Sequence, residues 1–157
     1  MLKKILIILG AVLTVVVLCF AGIKFYISYQ ASQYDAAVVP LLQKVIPEIS
    51  TWQEDAIRKN LSEEALQRVS PQDFSAIVEK FSQLGSLKSF ETPVFKEVSE
   101  TRAPNVLPGN GPVTTTVSYT SEAVYDNGDA IITLMLSEQD GGFQVQYFTI
   151  QSLSLAE

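Results

Sequence analysis

The chain of 157 residues reads as an α+β protein: an apolar N-terminal helix, then helices packed on a curved, cone-like antiparallel sheet of about four strands. Three observations predict this class. Ile5 to Ile23 runs for 19 residues without a charge or a proline. Apolar residues then recur at helical spacing as far as Leu84, and from Leu87 onward Val, Thr, Tyr and Phe dominate. Helices first and strands second is the order of an α+β fold, not of alternating βαβ units.

The apolar run comes first. As a helix rising 1.5 Å per residue it is ~28 Å long, close to the ~30 Å hydrocarbon core of a bilayer. Lys3 and Lys4 precede it, Lys24 ends it, and Phe25, Tyr26 and Tyr29 follow where amphipathic rings favour the interface. A cleaved signal has a shorter apolar stretch and a small-residue site, which Cys19-Phe20-Ala21 serves poorly, and a lipoprotein signal needs a small residue where Leu18 stands. The flanks therefore favour a retained span through residues 5–23. The lysines before it place the short tail in the cytoplasm, so the rest of the chain is expected beyond a bacterial inner membrane, in the periplasm or outside.

Charge and composition narrow the function. Residues 25–157 hold eight of the basic residues and all 17 acidic ones, a net charge of −9, which suits neither nucleic acid nor anionic lipid heads. The single cysteine, Cys19, falls within the span, so the exported part carries no thiol to misoxidise. The chain has no histidine, which removes a histidine base, a Ser-His-Asp triad and the usual zinc ligands. No acidic calcium-loop pattern is present, and Asp126-Asn127-Gly128-Asp129 reads as a turn. No catalytic residue, cofactor site or metal site is expected.

The elements follow in order. Residues 1–24 form tail and anchor, residues 25–46 a helical stalk, and residues 47–157 one α+β domain. Pro40 and Pro47 are expected to interrupt the stalk helix, each either kinking it or opening a new helix at its first turn. From Pro47, Ile49, Trp52, Ala56 and Ile57 share one helical face. Ser62-Glu63-Glu64 caps a brief turn. Ser70-Pro71-Gln72-Asp73 starts the clearest helix, with a capping Ser, Pro at the first position and an acid at the third, and Gly85 ends it. Its apolar face is Phe74, Ile77, Val78, Phe81 and Leu84. Strands are expected at Val94–Thr101, with Phe95 and Glu97 alternating against Val94, Lys96 and Val98, then at Val113–Tyr125, Ala130–Leu136 and Phe143–Leu153. The turns at residues 126–129 and 139–142 join the last three into a meander.

Several stretches resemble the cone-shaped α+β domains of the nuclear-transport-factor-like or cystatin-like superfamily, and within it small exported bacterial domains of unknown function. They are Phe81-Ser82-Gln83-Leu84-Gly85, Leu107-Pro108-Gly109, Val117-Ser118-Tyr119-Thr120, Glu138 to Val145, and Phe148-Thr149-Ile150. The resemblance covers roughly residues 47–152 and implies a pocket between sheet and helices, catalytic in some relatives through an Asp base and a Tyr donor. Phe143 stands where such domains often place Trp.

Two candidate sites follow. Trp52, Phe81, Tyr119 and Tyr147 would line a pocket of this kind; the bland alternative is that strand tyrosines pack or lie at an edge. The loop from Ala103 to Pro112, with Val106, Leu107, Pro108 and Gly109 at its tip, could bind a partner or merely connect strands. The acids Asp126, Asp129 and Asp140 fall in turns, and Glu122 lies inside the strand Val113–Tyr125. The reading is of a non-enzymatic, membrane-anchored interaction or accessory domain that associates with another envelope protein or with itself. Its plan is similar to that of longer assembly factors of bacterial secretion machines. A small apolar ligand in the cone pocket is the competing class, and a pocket enzyme the weaker form of it.

Overall fold

The structure, a computed structural model, describes residues 2–102, 113–139 and 141–155; within residues 2–29 it describes the side chains of 14–19, 22, 26 and 29. The loop tip Val106, Leu107, Pro108 and Gly109 and the turn residue Asp140 lie outside the described residues. The chain forms two compact units, residues 1–33 and 34–157. The backbone of helix α1 runs from Leu2 to Ile49.

In the first unit, the apolar side chains of Val15, Val16, Val17 and Leu18 are exposed. Gln30 Nε2 donates to Tyr26 Oη at 2.9 Å, one helical turn apart. Among the described residues no helix is long and apolar enough to cross a membrane. Side chains 5–13, 20, 21 and 23 of the expected span lie outside that set.

The second unit is α+β. After α1 come α2 (Glu54–Asn60), α3 (Glu63–Gln67) and α4 (Pro71–Ser82). Strands β1 (Leu87–Phe90), β2 (Val94–Arg102), β3 (Val113–Tyr125), β4 (Gly128–Gln139) and β5 (Gly142–Gln151) follow, and a 3₁₀ turn, Leu153–Leu155, ends the fold. All strand pairs are antiparallel.

Helix α1 runs on through Pro40 and Pro47, so neither opens a new helix. Both are exposed, as are Ala36 and Gln43, whose carbonyls lose a bond to them, so water can serve those carbonyls. The opposite face buries Val38, Leu42, Val45, Ile46 and Ile49. Burying such a side chain stabilises by about 1.5–3 kcal/mol, so five of them exceed about 3 kcal/mol for each interior proline. Four of these residues belong to the segment assigned to a stalk; they are core.

The helix expected to continue through Trp52 stops instead at Ile49. Trp52 takes φ +58°, the left-handed position after a helix end where glycine is usual. The indole holds it there: Nε1 donates to the Gly85 carbonyl at 2.7 Å. α4 forms as its sequence predicts. Ser70 Oγ accepts from Asp73 N at 3.2 Å and donates to Asp73 Oδ2 at 2.7 Å, and Phe74 and Val78 are buried.

The sheet has five strands, not about four. β1 and β2 both pair with β3, along the same edge: β1 opposite residues 123–125 and β2 opposite residues 113–120. Pro93, which has no N–H to give to the ladder, separates them. Three register shifts, in β1, in β2 and between β4 and β5, curve the sheet. The shift at Lys96 also overturns the expected alternation: Phe95 opposes Tyr119 and Val98 opposes Val117, so both face the core. The inner face, with Val117, Tyr119, Tyr125, Ile132, Leu134 and Leu136, packs against α1 and the shorter helices.

Candidate functional site

The residues expected to line one pocket are divided by the fold. Trp52 and Phe81 do meet, with ring centroids 6.4 Å apart, in a cluster with Tyr125 and Phe148. Tyr119 belongs to a second cluster with Tyr34, Phe95 and Phe143. Tyr147 opposes Met135 on the outer face of the sheet and is 55% exposed. The reason is parity: Tyr119 and Tyr125 alternate inward on β3, whereas the register shift near Gln146 turns Tyr147 outward.

Each cluster ends in a buried tyrosine hydroxyl, one bonded to α1 and the other to the residue just after it. Tyr119 Oη donates to Asp35 Oδ1 at 2.7 Å. Tyr125 Oη shares a hydrogen bond with Ser50 Oγ at 2.8 Å. Burial, then the hydrogen bond and negative charge of Asp35, push the Tyr119 phenol well above its ordinary value. Burial also raises Tyr125, against a smaller lowering by Ser50. An Asp beside a Tyr is the pair implied by the resemblance, yet Tyr119 is fully buried and Asp35 comes from the stretch assigned to a stalk. The pair fastens a helix to a sheet and offers a substrate no reachable hydroxyl. Sequence reasoning missed Asp35 because nothing local links it to a strand 84 positions away.

Asp126 lies at the β3–β4 turn and accepts from the Ser86 N–H at 2.9 Å, with Lys88 Nζ 3.3 Å away. Those contacts hold its carboxyl below the usual range, the backbone N–H first. Glu122 is exposed on the outer face, where it joins Glu91, Val124, Ile131 and Gln151 around a shallow cavity of ~470 Å³. Among the described residues no group of His, Cys, Asp or Glu is arranged to hold a metal ion.

The surface differs sharply between the two edges of the sheet. β2 carries Lys96, Glu97 and Glu100, charges that protect an open edge from pairing. β5, Gly-Phe-Gln-Val-Gln-Tyr-Phe-Thr-Ile-Gln, has no charge and no proline. Its first half is covered: Ser62 N donates to the Val145 carbonyl at 2.9 Å, Ser62 Oγ donates to Gln146 Oε1, and Gln146 Nε2 donates to Ser137 Oγ. Among the described residues nothing is bonded to the edge of its second half, residues 147–151. The two-residue hairpin at Asp126-Asn127 makes Tyr125 and Gly128 a hydrogen-bonded pair. Alternation along β4 then directs Ile131, Thr133 and Met135 to Gln151, Thr149 and Tyr147, leaving the N–H and C=O of Phe148 and Ile150 pointing away from the sheet. Beside this edge α4 leaves a groove of ~350 Å³ lined by Ile77, Phe81, Ile150 and Leu155, with Lys80 and Gln151 at its rim. Ile77, expected in the apolar face of α4, is 43% exposed there.

A scan against protein-family models gives no match for the chain, and a search among curated proteins gives none either.

Proposed function

We propose that the chain is a single-pass membrane protein whose α+β unit, held outside the cytoplasm, acts as a non-catalytic interaction or accessory domain in a bacterial cell-envelope assembly. The observation that carries this reading is the uncharged run Ile5–Ile23 between Lys3-Lys4 and Lys24, on a backbone that is helical from Leu2 to Ile49. Exposed Val15, Val16, Val17 and Leu18 support it, since a contiguous apolar surface needs an apolar neighbour. The cone-like kinship with nuclear-transport-factor-like and cystatin-like domains belongs to the same proposal, supported by the order of helices and curved meander. A ligand-binding or enzymatic role is disfavoured because Trp52, Phe81 and Tyr119 are committed to packing and Tyr147 lies on the far face.

The test is topological. The full chain with a C-terminal tag stays in the membrane pellet after alkaline carbonate extraction, and protease added outside spheroplasts removes the tag. Release by carbonate, or protection of the tag, overturns the reading. Crosslinking in membranes followed by capture of the tagged chain yields a stable complex; a strictly solitary monomer overturns the interaction role.

A further inference from the structure

We propose that the domain pairs with a second copy of itself through the free half of β5, residues 147–151, antiparallel about a twofold axis at Thr149, joining the two sheets into one. This rests on the reading of the unit as an interaction domain and names its partner and surface.

The backbone pattern specifies the register. The two outward-pointing positions, Phe148 and Ile150, lie symmetrically about Thr149. With Thr149 on the axis, Phe148 faces Ile150 of the second copy, and Ile150 faces its Phe148. Each such pair exchanges two N–H···O bonds, so all four outward donors and acceptors of each strand are satisfied. A one-residue slip would set outward groups against inward ones and lose every bond. The covered half of β5 does not interfere. In this register Val145, with Ser62 bonded to it, faces position 153 of the second copy, past the end of its strand at Gln151.

Chemistry agrees with geometry. The domain is acidic, and like charges brought together would oppose association, but β5 brings none from residue 142 to 151. The β2 edge, by contrast, carries Lys96, Glu97 and Glu100, hydrated charges that a pairing strand would have to accommodate. Thr149 is half-buried on the outer face opposite Thr133, so self-pairing extends the row Thr120, Thr133, Thr149 across the axis. Such Thr–Thr neighbours are favourable cross-strand pairs. On the inner face, the apolar groove with exposed Ile77 flanks the same edge, so the added strand meets apolar side chains there. A heterologous strand could use the same edge; the symmetry of the free positions about Thr149 favours a second copy.

The experiment uses the full chain in membrane vesicles, with Cys19→Ser so that an introduced cysteine is the one thiol. Thr149→Cys places two sulfurs at a non-hydrogen-bonded pair, whose Cα atoms stand about 4.5 Å apart, inside the disulfide range. With copper–phenanthroline as oxidant, Cys19→Ser/Thr149→Cys gives a disulfide dimer at least tenfold more abundant than Cys19→Ser/Lys96→Cys, on the opposite edge. Equal or absent crosslinking overturns the proposal. Thr149→Lys sets like charges against each other on a solvent face, so association of the purified chain weakens at least tenfold while its far-ultraviolet circular dichroism is unchanged. Mixing Thr149→Lys with Thr149→Glu restores association; no restoration overturns the proposal. If Thr149→Cys fails to crosslink while the tagged chain still captures a different protein, self-pairing fails and the interaction reading stands.

Discussion

Two tyrosines, Tyr119 and Tyr125, fasten the same helix to the same strand, and they do so differently. Tyr125 meets Ser50 just beyond the end of α1, where both groups are buried and Trp52 covers the ring. Tyr119 meets Asp35, whose carboxylate is only half-buried and keeps access to water. Removing one hydroxyl therefore has unequal consequences. At Tyr125 the remaining partner is an orphan in a dry site; at Tyr119 the remaining partner can be rehydrated. The lesson concerns what the loss leaves behind, since the two hydrogen bonds are nearly equal in length.

The largest predicted effect comes from the cover over the Tyr125 latch. Trp52→Ala removes the indole from Phe81 and Tyr125 and abandons the bond to Gly85, so unfolding stability falls by about 3 kcal/mol in urea titration. Trp52→Gly is expected to fall by about 1 kcal/mol less, because glycine accepts φ +58° without strain. If the two variants are equal, backbone strain at residue 52 is not part of the balance.

Next is Tyr125→Phe, expected to cost about 1–3 kcal/mol because Ser50 loses its partner where water does not reach. Tyr125→Phe/Ser50→Ala should recover part of that loss, since both polar groups then leave together. Tyr119→Phe is expected to cost about 1 kcal/mol or less, with no recovery from Asp35→Ala. A larger loss at Tyr119 than at Tyr125 would reverse the comparison.

Alkali tests both latches together. Each phenol is held neutral above its ordinary value, so its contribution to stability is present below about pH 10 and lost as pH rises through the folded value. Stability followed by circular dichroism should decline above about pH 10, and the decline should shrink in the Tyr119→Phe/Tyr125→Phe double variant. The smallest effect belongs to Asp126, outside both latches. Its carboxyl is held low by the Ser86 N–H and Lys88, so its contribution is present above about pH 4 and fades as pH falls through the lowered value. Asp126→Asn should flatten the acid limb of the stability profile and leave the alkaline limb unchanged.

How much of this was legible depended on the range of the interactions. α4 could be read residue by residue, because Ser70, Pro71, Asp73 and Gly85 act within one or two turns of where they stand. The β3–β4–β5 meander could also be read, from Asp126-Asn127-Gly128 and the glycines at 141 and 142. The run from Pro40 to Pro47 could not, since the core that overrides the prolines is assembled from the sheet. Strand β1 was missed for a related reason: four residues, Leu87–Phe90, become a strand only because β3 is long enough to accept them beside β2. The pocket set failed at Tyr147, where one register shift moves the side chain to the opposite face.

The sequence by itself determined the class of the fold, the acidic thiol-free composition beyond residue 24, and the apolar run with its lysine flanks. Those properties depend on composition and on spacing within a few residues. Only the tertiary structure decided that residues 38–49 are core, that Trp52 turns the chain in a left-handed conformation, and that Asp35 meets Tyr119. It also decided which half of β5 keeps an open edge. These are contacts between residues dozens of positions apart, where register and packing, which no local pattern encodes, select the partner.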